Sequence, residues 1–214
     1  TVALAGVLAA SMLFTGCSKK AESKVPDKLI VGTNAEFPPF EYMNDKKQPE
    51  GFDIAMIKEI GKRMGKKVEI KNMEFKSLIG AMESDSINAI IAGMTKTEKR
   101  EKAVDFSDSY YTTNQAIILK KDSKITKLAQ LDGKKIGVQE GTTGDLISSG
   151  DKFGDGKKAK VLVKGAKVKR FKKGVDAVMD LKNGSVDAVV IDELTANEFV
   201  KKNAKKLKIV IDSA

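Results

Sequence analysis

Histidine is absent from the chain of 214 residues, and cysteine occurs once, at Cys17. Without histidine the chain cannot carry a Ser-His or Cys-His catalytic arrangement, most kinds of zinc site, or the usual general base near neutral pH. One cysteine permits neither an internal disulfide nor a cysteine-based metal site. We therefore expect none of these catalytic arrangements and no metal site of these kinds.

Arginine is scarce, because Arg63, Arg100 and Arg170 are the only arginines among 39 basic residues. With 29 acidic residues the net charge is +10, which raises the question of nucleic acid binding. The positive charge is nearly all lysine, interleaved with acids, and no aromatic-basic motif accompanies it. We expect a solvated lysine-rich surface that is attracted to anionic lipid headgroups and that binds no nucleic acid.

The first residues have the character of a targeting segment. Residues 2–14 are apolar but too short to span a bilayer, and they lead to Thr15-Gly16-Cys17. This tripeptide resembles a bacterial lipoprotein cleavage site, after which Cys17 would carry lipid; an ordinary secretory signal is the alternative. We expect a signal segment at 1–17, a polar tether at 18–27, and a lipoprotein on the outer face of the cell membrane.

The rest of the chain alternates strands and helices in two successive units, which predicts parallel, doubly wound sheets. In the first unit the predicted elements are strands at 28–32, 67–71, 87–91 and 116–119, helices at 51–65 and 77–83, and a loop at 36–42. In the second unit they are strands at 134–138, 186–191 and 207–211, a helix at 174–181 that ends near Gly184, and a helix at 194–202. The turn at 139–145 leads into a further helix, since Thr142 and Asp145 have capping spacing. Strand candidates at 161–163 and 167–171 compete for one place in the second sheet.

An anion site is predicted at 92–100, directly after the strand at 87–91. Thr95 and Glu98 have the spacing of a capping box, so a helix would begin at Thr95 and present unpaired backbone N–H groups. Arg100 lies within reach of the same point, and its planar fork grips a carboxylate through two bonds. The alternative is a solvated charge on a helix surface.

A cleft between the two units is the natural ligand site, because both present loops at the carboxyl ends of parallel strands. Residues 34–37 and 92–100 face it from the first unit, and residues 139–143 and Asp192 from the second. Asp192 has two equally weighted interpretations: a carboxylate that faces the anion grip, as a zwitterion requires, or the N-cap of the next helix.

Several motifs, in order along 28–211, resemble the family 3 extracellular solute-binding proteins, the polar amino acid-binding proteins of ABC importers. They lie at 32–41 (GTNAEFPPFE), 51–54 (GFDI), 93–100, 104–111, 141–145 (GTTGD) and 186–193. The resemblance implies an α/β, two-lobed Venus-flytrap fold with a parallel doubly wound sheet in each lobe and a hinge of two crossing strands. It places lobe 1 at 28–116, lobe 2 at 117–206 and the start of the second hinge strand at 207–214.

The resemblance also implies how a ligand is held. Arg100 and Thr95, helped by the Gly93 backbone, would bind the α-carboxylate, and Asp192 would pair with the α-ammonium. Phe37 and Phe75 would pack on the ligand side chain, although Phe37 could simply pin its loop and Phe75 could be core. The remaining residues assigned to the pocket are Ala92, Asn34, Gln139 and Thr143. Glu36 is expected to point to solvent, so a preference for a cationic ligand is a hypothesis.

The function implied is capture of a polar amino acid and its delivery to ABC permease subunits in the membrane, by a monomer anchored through Cys17. The resemblance thus implies a binding protein that is not an enzyme, with no catalytic residues, no metal and no cofactor. Two alternatives share the fold: a periplasmic dehydratase, whose general acid or base would be Glu36, Glu140 or Asp192, and a ligand-sensing module for a receptor. Members of the family continue beyond the point that corresponds to Ala214, so the C-terminal part of lobe 1 is expected to be missing. Residues 150–164 are expected to form a longer link than is usual.

Overall fold

The computed structural model describes residues 26–150 and 163–211, and within them the predicted alternation of strands and helices is confirmed. The signal segment, Cys17 and most of the predicted tether and 150–164 link lie outside the described residues. The first lobe contains β1 (Lys28–Thr33), β2 (Glu36–Phe37), β3 (Glu41–Met43), β4 (Pro49–Glu50), α1 (Phe52–Arg63), β5 (Lys67–Asn72), α2 (Leu78–Glu83), β6 (Ala89–Ile90) and α3 (Glu98–Glu101).

The first lobe is built on a parallel sheet in the order β5-β1-β6. Successive side chains of β1 point to opposite faces, so Val31 packs with Ile57 of α1 on one side, while Ile30 packs toward Leu78 of α2 on the other. The predicted loop at 36–42 instead pairs as a small antiparallel sheet, β2-β3-β4. Helices on both faces give the doubly wound arrangement expected for this lobe.

The second lobe is built on a five-stranded sheet in the order β11-β7-β10-β8-β9. Strands β8, β9 and β10 run parallel, whereas β7 pairs antiparallel with both β10 and β11, so the sheet is mixed rather than purely parallel. Its elements are β7 (Gln115–Lys120), β8 (Lys135–Gln139), α4 (Thr143–Ser149), β9 (Lys167–Phe171), α5 (Gly174–Asn183), β10 (Ala188–Asp192), α6 (Glu193–Lys201) and β11 (Leu207–Ile211).

The core of the second lobe lies on both faces of this sheet. Val189 and Ile191 of β10 face one apolar cluster with helices α5 and α6, and Ala188 and Val190 face another with Leu131. The first cluster also includes Phe37 and Phe40 from the first lobe, so apolar packing continues from one lobe to the other. Of the two competing strand candidates, 167–171 is β9; residues 161 and 162 of the other lie outside the described residues.

Two local predictions are wrong at the end of the first lobe. The strand predicted at 87–91 contracts to Ala89–Ile90, because the Asn88 side chain bonds to the backbone of β1: its Oδ1 accepts from Ile30 N at 2.8 Å and its Nδ2 donates to Lys28 O at 3.0 Å. The helix predicted to begin at Thr95 is the short α3, capped by Thr97, whose hydroxyl accepts from Arg100 N.

No helix within 26–150 and 163–211 is both long and apolar enough to cross a membrane.

Candidate functional site

The candidate site lies where the two lobes meet, at the carboxyl ends of their parallel strands. Asn34 follows β1, Ala92 follows β6, Gln139 ends β8 and Asp192 ends β10. Since the carboxyl ends of parallel strands share one edge of a sheet, each lobe presents a pair of these residues to the other. The fold therefore brings together segments that are more than a hundred residues apart.

A small cavity of about 10 Å³ lies between the lobes. Every residue predicted to bind the ligand lines it, except Gln139, and Thr142 lines it as well. The full lining is Asn34, Phe37, Phe75, Ala92, Gly93, Thr95, Arg100, Thr142, Thr143 and Asp192. Six of these residues also line a neighbouring cavity of about 500 Å³: Phe37, Ala92, Gly93, Thr95, Thr143 and Asp192. The small cavity is near the minimum volume for one water molecule, so an amino acid can contact both Arg100 and Asp192 in it only when the lobes move apart.

Arg100 is buried and spans the cleft. Its Nη1 donates to Thr95 O at 2.5 Å in the first lobe, and its Nη2 donates to Gly141 O at 2.9 Å in the second. Its guanidinium lies 5.4 Å from the centroid of the Phe75 ring, within the range of a cation–π contact. Burial lowers the pKa of Arg100 to about 10, so the group remains charged at neutral pH. The interpretation of Arg100 as a solvated surface charge is wrong.

Asp192 is the opposite charge in the same cavity. Asp192 is the N-cap residue of α6, as one of its two interpretations predicted, but its side chain makes no capping bond and instead accepts from Gln115 Nε2 at 2.7 Å. Burial raises the pKa of Asp192 from 3.8 to about 6, an effect that the Gln115 bond and the charge of Arg100 partly oppose. A cation and an anion thus line one cavity.

Two hydrogen bonds between polar side chains join the lobes beside this charge pair. Thr143 Oγ1 donates to Thr95 Oγ1 at 3.1 Å, and Gln139 Nε2 donates to Asn34 Oδ1 at 2.8 Å. Gln139 is buried next to the cavity rather than in its lining. Gln139 therefore contacts the cavity lining through Asn34. The Nδ2 of Asn34 in turn donates to Met73 O at 2.8 Å.

The two predicted aromatic residues combine packing with a place at the cavity. Phe37 belongs to the apolar cluster that continues into the second lobe, and its ring lies under Gly93. Phe75 packs with the cluster around Leu78 and faces Arg100. Packing in the core and lining the cavity are therefore compatible for both rings.

The backbone of Gly93 is arranged differently from the prediction. Gly93 has a left-handed φ of 52°, and its N–H donates to Asp53 Oδ2 at 2.8 Å rather than into the cavity. The predicted help from this backbone in holding a carboxylate is therefore wrong for the N–H group. The backbone N–H groups expected from a helix start at Thr95 are likewise not there, since α3 begins at Glu98.

Glu36 does not face the cavity, in keeping with the expectation, but it is bound rather than free in solvent. Its Oε1 lies 2.6 Å from Lys173 Nζ of the second lobe. Two more ion pairs cross between the lobes, Lys76 with Glu140 at 2.9 Å and Lys172 with Glu74 at 2.6 Å. Opposite charges on facing edges thus hold the lobes together.

Two residues at the site were not among those assigned to the ligand. Thr142 lies in the segment 139–143 that was predicted to face the cleft, but its only assigned role was to cap a helix; its hydroxyl does accept from Asp145 N at 3.4 Å, and it also lines the cavity. Its position next to Thr143 was the available signal. The sequence carried no signal for Gln115, the hydrogen-bond donor to Asp192, because the two residues are 77 positions apart. Among the residues that the structure describes, no group of three or more acidic, cysteine or histidine side chains could hold a metal ion.

Comparison with known proteins places the cleft in context. Residues 29–214 match the sequence model of the bacterial extracellular solute-binding proteins, family 3. The arginine-binding extracellular protein ArtP of Bacillus subtilis (strain 168) is 36% identical over 201 residues, which cover 93% of this chain and 74% of ArtP.

Two similar solved structures are of an ancestral arginine-binding protein. The arginine-bound form has a TM-score of 0.78 at 43% identity, covering 86% of this chain and 79% of that one. The glutamine-bound form has a TM-score of 0.77 at 43% identity, covering 87% and 79%.

Proposed function

Because the chain belongs to family 3 of the bacterial extracellular solute-binding proteins, we propose that it captures a polar amino acid between its lobes for an ABC importer. The observation that carries this proposal is the presence of Arg100 and Asp192 in the lining of one cavity. An α-amino acid is a zwitterion, and its two charges need partners of opposite sign. The site offers a cation and an anion in the same lining.

The roles of the residues follow from their donors and acceptors. Arg100 donates to two neutral backbone carbonyls, and a ligand carboxylate is a stronger acceptor because charge-assisted hydrogen bonds are roughly twice as strong. The hydroxyls of Thr95 and Thr143 adjoin that grip from the two lobes. Asp192 accepts hydrogen bonds from the α-ammonium group. This positive group takes the place of the water that the Asp192 carboxylate loses on burial.

The side chain of the ligand would meet Asn34 and the rings of Phe37 and Phe75, an amide and two apolar faces that suit a long polar group. Arginine is the first candidate, because ArtP is named for arginine and the ancestral protein was solved with it. Glutamine is the direct competitor, since the same ancestral protein was also solved with glutamine. Glu36 is paired with Lys173 and gives no support for a cationic preference.

Isothermal titration with arginine, lysine, histidine and glutamine tests the ligand class. We expect saturable binding of one mole of ligand per mole of chain, with arginine tightest. Glutamine clearly tightest would overturn the cationic preference but keep the amino acid site. No heat from any of the four would contradict the amino acid proposal itself.

Ligand capture proceeds by closure of the lobes. We assign residues 28–116 to the first lobe, 117–206 to the second, and 207–214 to the start of the second hinge strand. The two hinge strands are then β7 and β11, which extend into the sheet of the second lobe. A ligand that contacts both lobes gains part of its contacts only when they close, so it shifts the open–closed population by that differential affinity. The closed form then docks on the permease as a monomer.

Family membership supports an extracytoplasmic location. Cys17 would carry a lipid anchor that holds the protein near its permease, since the two would then diffuse on one surface. Labelled fatty acid incorporated into the wild-type chain and not into Cys17→Ser would support the anchor. Equal labelling of both, or of neither, would contradict it.

Binding without catalysis is the expected behaviour, in agreement with relatives that are named as binding proteins. Incubation with prephenate and arogenate, followed by absorbance of the aromatic product, tests the dehydratase alternative. Product above the rate without protein would favour that alternative. Pull-down of permease subunits rather than a receptor distinguishes import from sensing.

A further inference from the structure

Two carboxyl groups are buried behind the loop at 92–95, on the side away from the cavity. Asp53 is in the first turn of α1 and Glu41 begins β3, and both residues are fully inaccessible to solvent, at 0% exposure. Asp53 Oδ2 accepts two hydrogen bonds of 2.8 Å, one from Gly93 N and one from the Tyr110 hydroxyl. Two donors on one oxygen are the environment of an ionised carboxylate.

Glu41 has a different environment. Neither of its carboxyl oxygens has a hydrogen-bond donor among the described residues, and the second oxygen of Asp53 also has none. Glu41 lies next to the same glycine, since a Cβ on Gly93 would be 4.0 Å from Glu41 Oε1. Buried polar atoms without partners are rare, so three of them on two adjacent residues require an explanation.

One proton on Glu41 explains two of the three atoms, the Glu41 oxygen that carries the proton and Asp53 Oδ1. A protonated carboxyl group has an O–H donor, which Asp53 Oδ1 can accept, whereas two ionised carboxylates this deeply buried would repel each other without compensation. Burial, with the nearby charges of Asp53 and Asp192, raises the pKa of Glu41 to about 11. The pKa of Tyr110 is also raised, by burial and by the charge of Asp53, so its hydroxyl stays a donor.

We propose that Glu41 is a neutral carboxylic acid that donates a hydrogen bond to Asp53, and that this pair positions the Gly93 N–H and the loop carrying Thr95. Glu41 and Asp53 are then positioning residues for the amino acid site, so the consequence for binding rests on the proposed function. The existence of the pair does not rest on the proposed function, because its proton and its hydrogen bonds are present without ligand.

The first test is the infrared carbonyl band of a protonated carboxylic acid, which lies above the bands of ionised carboxylates. It is recorded at about pH 8, where Asp192, with a pKa of about 6, is ionised. We expect the band in the wild-type chain and in Glu50→Gln, an exposed control, and its loss in Glu41→Gln. A wild-type chain without the band, or a band that remains in folded Glu41→Gln, would overturn the proposal.

The second test is hydrogen exchange of the Gly93 amide, measured by NMR in the wild-type chain, Glu41→Ala and Glu41→Gln. We expect Glu41→Ala to speed exchange by about tenfold or more, because Asp53 loses its neutral partner, and Glu41→Gln to restore most of the protection, since its amide still donates. Equal exchange in all three would overturn the positioning role. Failure of arginine to bind would count against the proposed ligand and would change neither readout.

Discussion

Gln139 Nε2 donates a 2.8 Å hydrogen bond to Asn34 Oδ1, and this bond joins the last residue of a second-lobe strand to the residue after β1 in the first lobe. Both residues are buried, with Asn34 5% and Gln139 1% exposed. A buried polar pair of this kind stabilises one relative position of the lobes, because any other position would remove the Gln139 donor from Asn34 Oδ1. The charge pair at the site is held in the same arrangement.

Replacement of Arg100 by alanine is expected to abolish measurable arginine binding. Loss of one partner of a buried, hydrogen-bonded charge pair costs about 2–5 kcal/mol, which is a weakening of about thirtyfold or more. Isothermal titration measures it, with circular dichroism to show that the variant folds. The matched control is Arg63→Ala, an arginine whose side chain is 79% exposed and pairs within α1 with Glu59. Near-wild-type affinity in Arg100→Ala would remove this residue from the site.

Arginine affinity is expected to fall as the pH drops below about 6. The ammonium group needs the ionised form of Asp192, whose pKa is about 6 in the free protein. Well below that value each pH unit weakens binding about tenfold. Titrations between about pH 4.5 and 8 measure this, and Asp192→Asn should bind weakly with no such inflection. An unchanged profile in Asp192→Asn would assign the titration to another group.

The stability of the free protein is expected to fall as the pH rises from about 4 to about 6, because of Asp192. The pKa of Asp192 in the folded chain, about 6, lies above its ordinary value of 3.8. The folded state therefore binds more protons between these values, so this residue's contribution is fully present below about pH 4 and is lost as the pH rises through about 6. Denaturant unfolding of the wild-type chain and Asp192→Asn, compared across that window, isolates the contribution. Parallel pH curves for the two would contradict it.

The ion pair between Lys173 and Glu36 is expected to contribute modestly to closure. Partly exposed pairs are worth about 0.2–1 kcal/mol, so Lys173→Ala should weaken arginine binding by up to about fivefold, and less at high salt. Lys169→Ala is the matched control, because Lys169 pairs with Asp180 at 2.5 Å within the second lobe, with similar exposure. If both variants weakened binding equally, the effect would be one of net charge rather than of lobe closure.

Gly144→Ala is expected to destabilise the second lobe. A Cβ at this position would lie 2.7 Å from the backbone oxygen of Val190 and 3.0 Å from Gln115 Oε1, the side chain that bonds Asp192. Overpacking of this kind costs about 1–3 kcal/mol and lowers the melting temperature. Gly80→Ala, an exposed helical glycine whose Cβ would meet nothing within 4 Å, should be stabilising by about 0.5–1 kcal/mol. Equal melting temperatures for the two variants would contradict the packing argument.

Elements with local signals were predictable. The cap at Thr142 was read from its spacing to Asp145, and the end of α5 from Gly184, which adopts the left-handed conformation there. Where two local signals competed, the prediction failed: Thr95 and Thr97 both precede acidic or basic helical residues, and Thr97 is the cap. The strand prediction at Asn88 was wrong for a related reason, since its side-chain oxygen rather than a backbone carbonyl accepts from Ile30 N of β1.

The sequence by itself determined the order of strands and helices, the family and most of the residues that line the cavity between the lobes. It did so because hydrophobic periodicity, caps and short motifs act over a few neighbouring residues. Only the tertiary structure decided that the Asp192 side chain binds Gln115 instead of capping α6, that Glu36 meets Lys173, and that β7 joins the second sheet antiparallel. Those outcomes depend on which distant segments pack together, and burial then sets the charge state of the carboxyl groups behind the site.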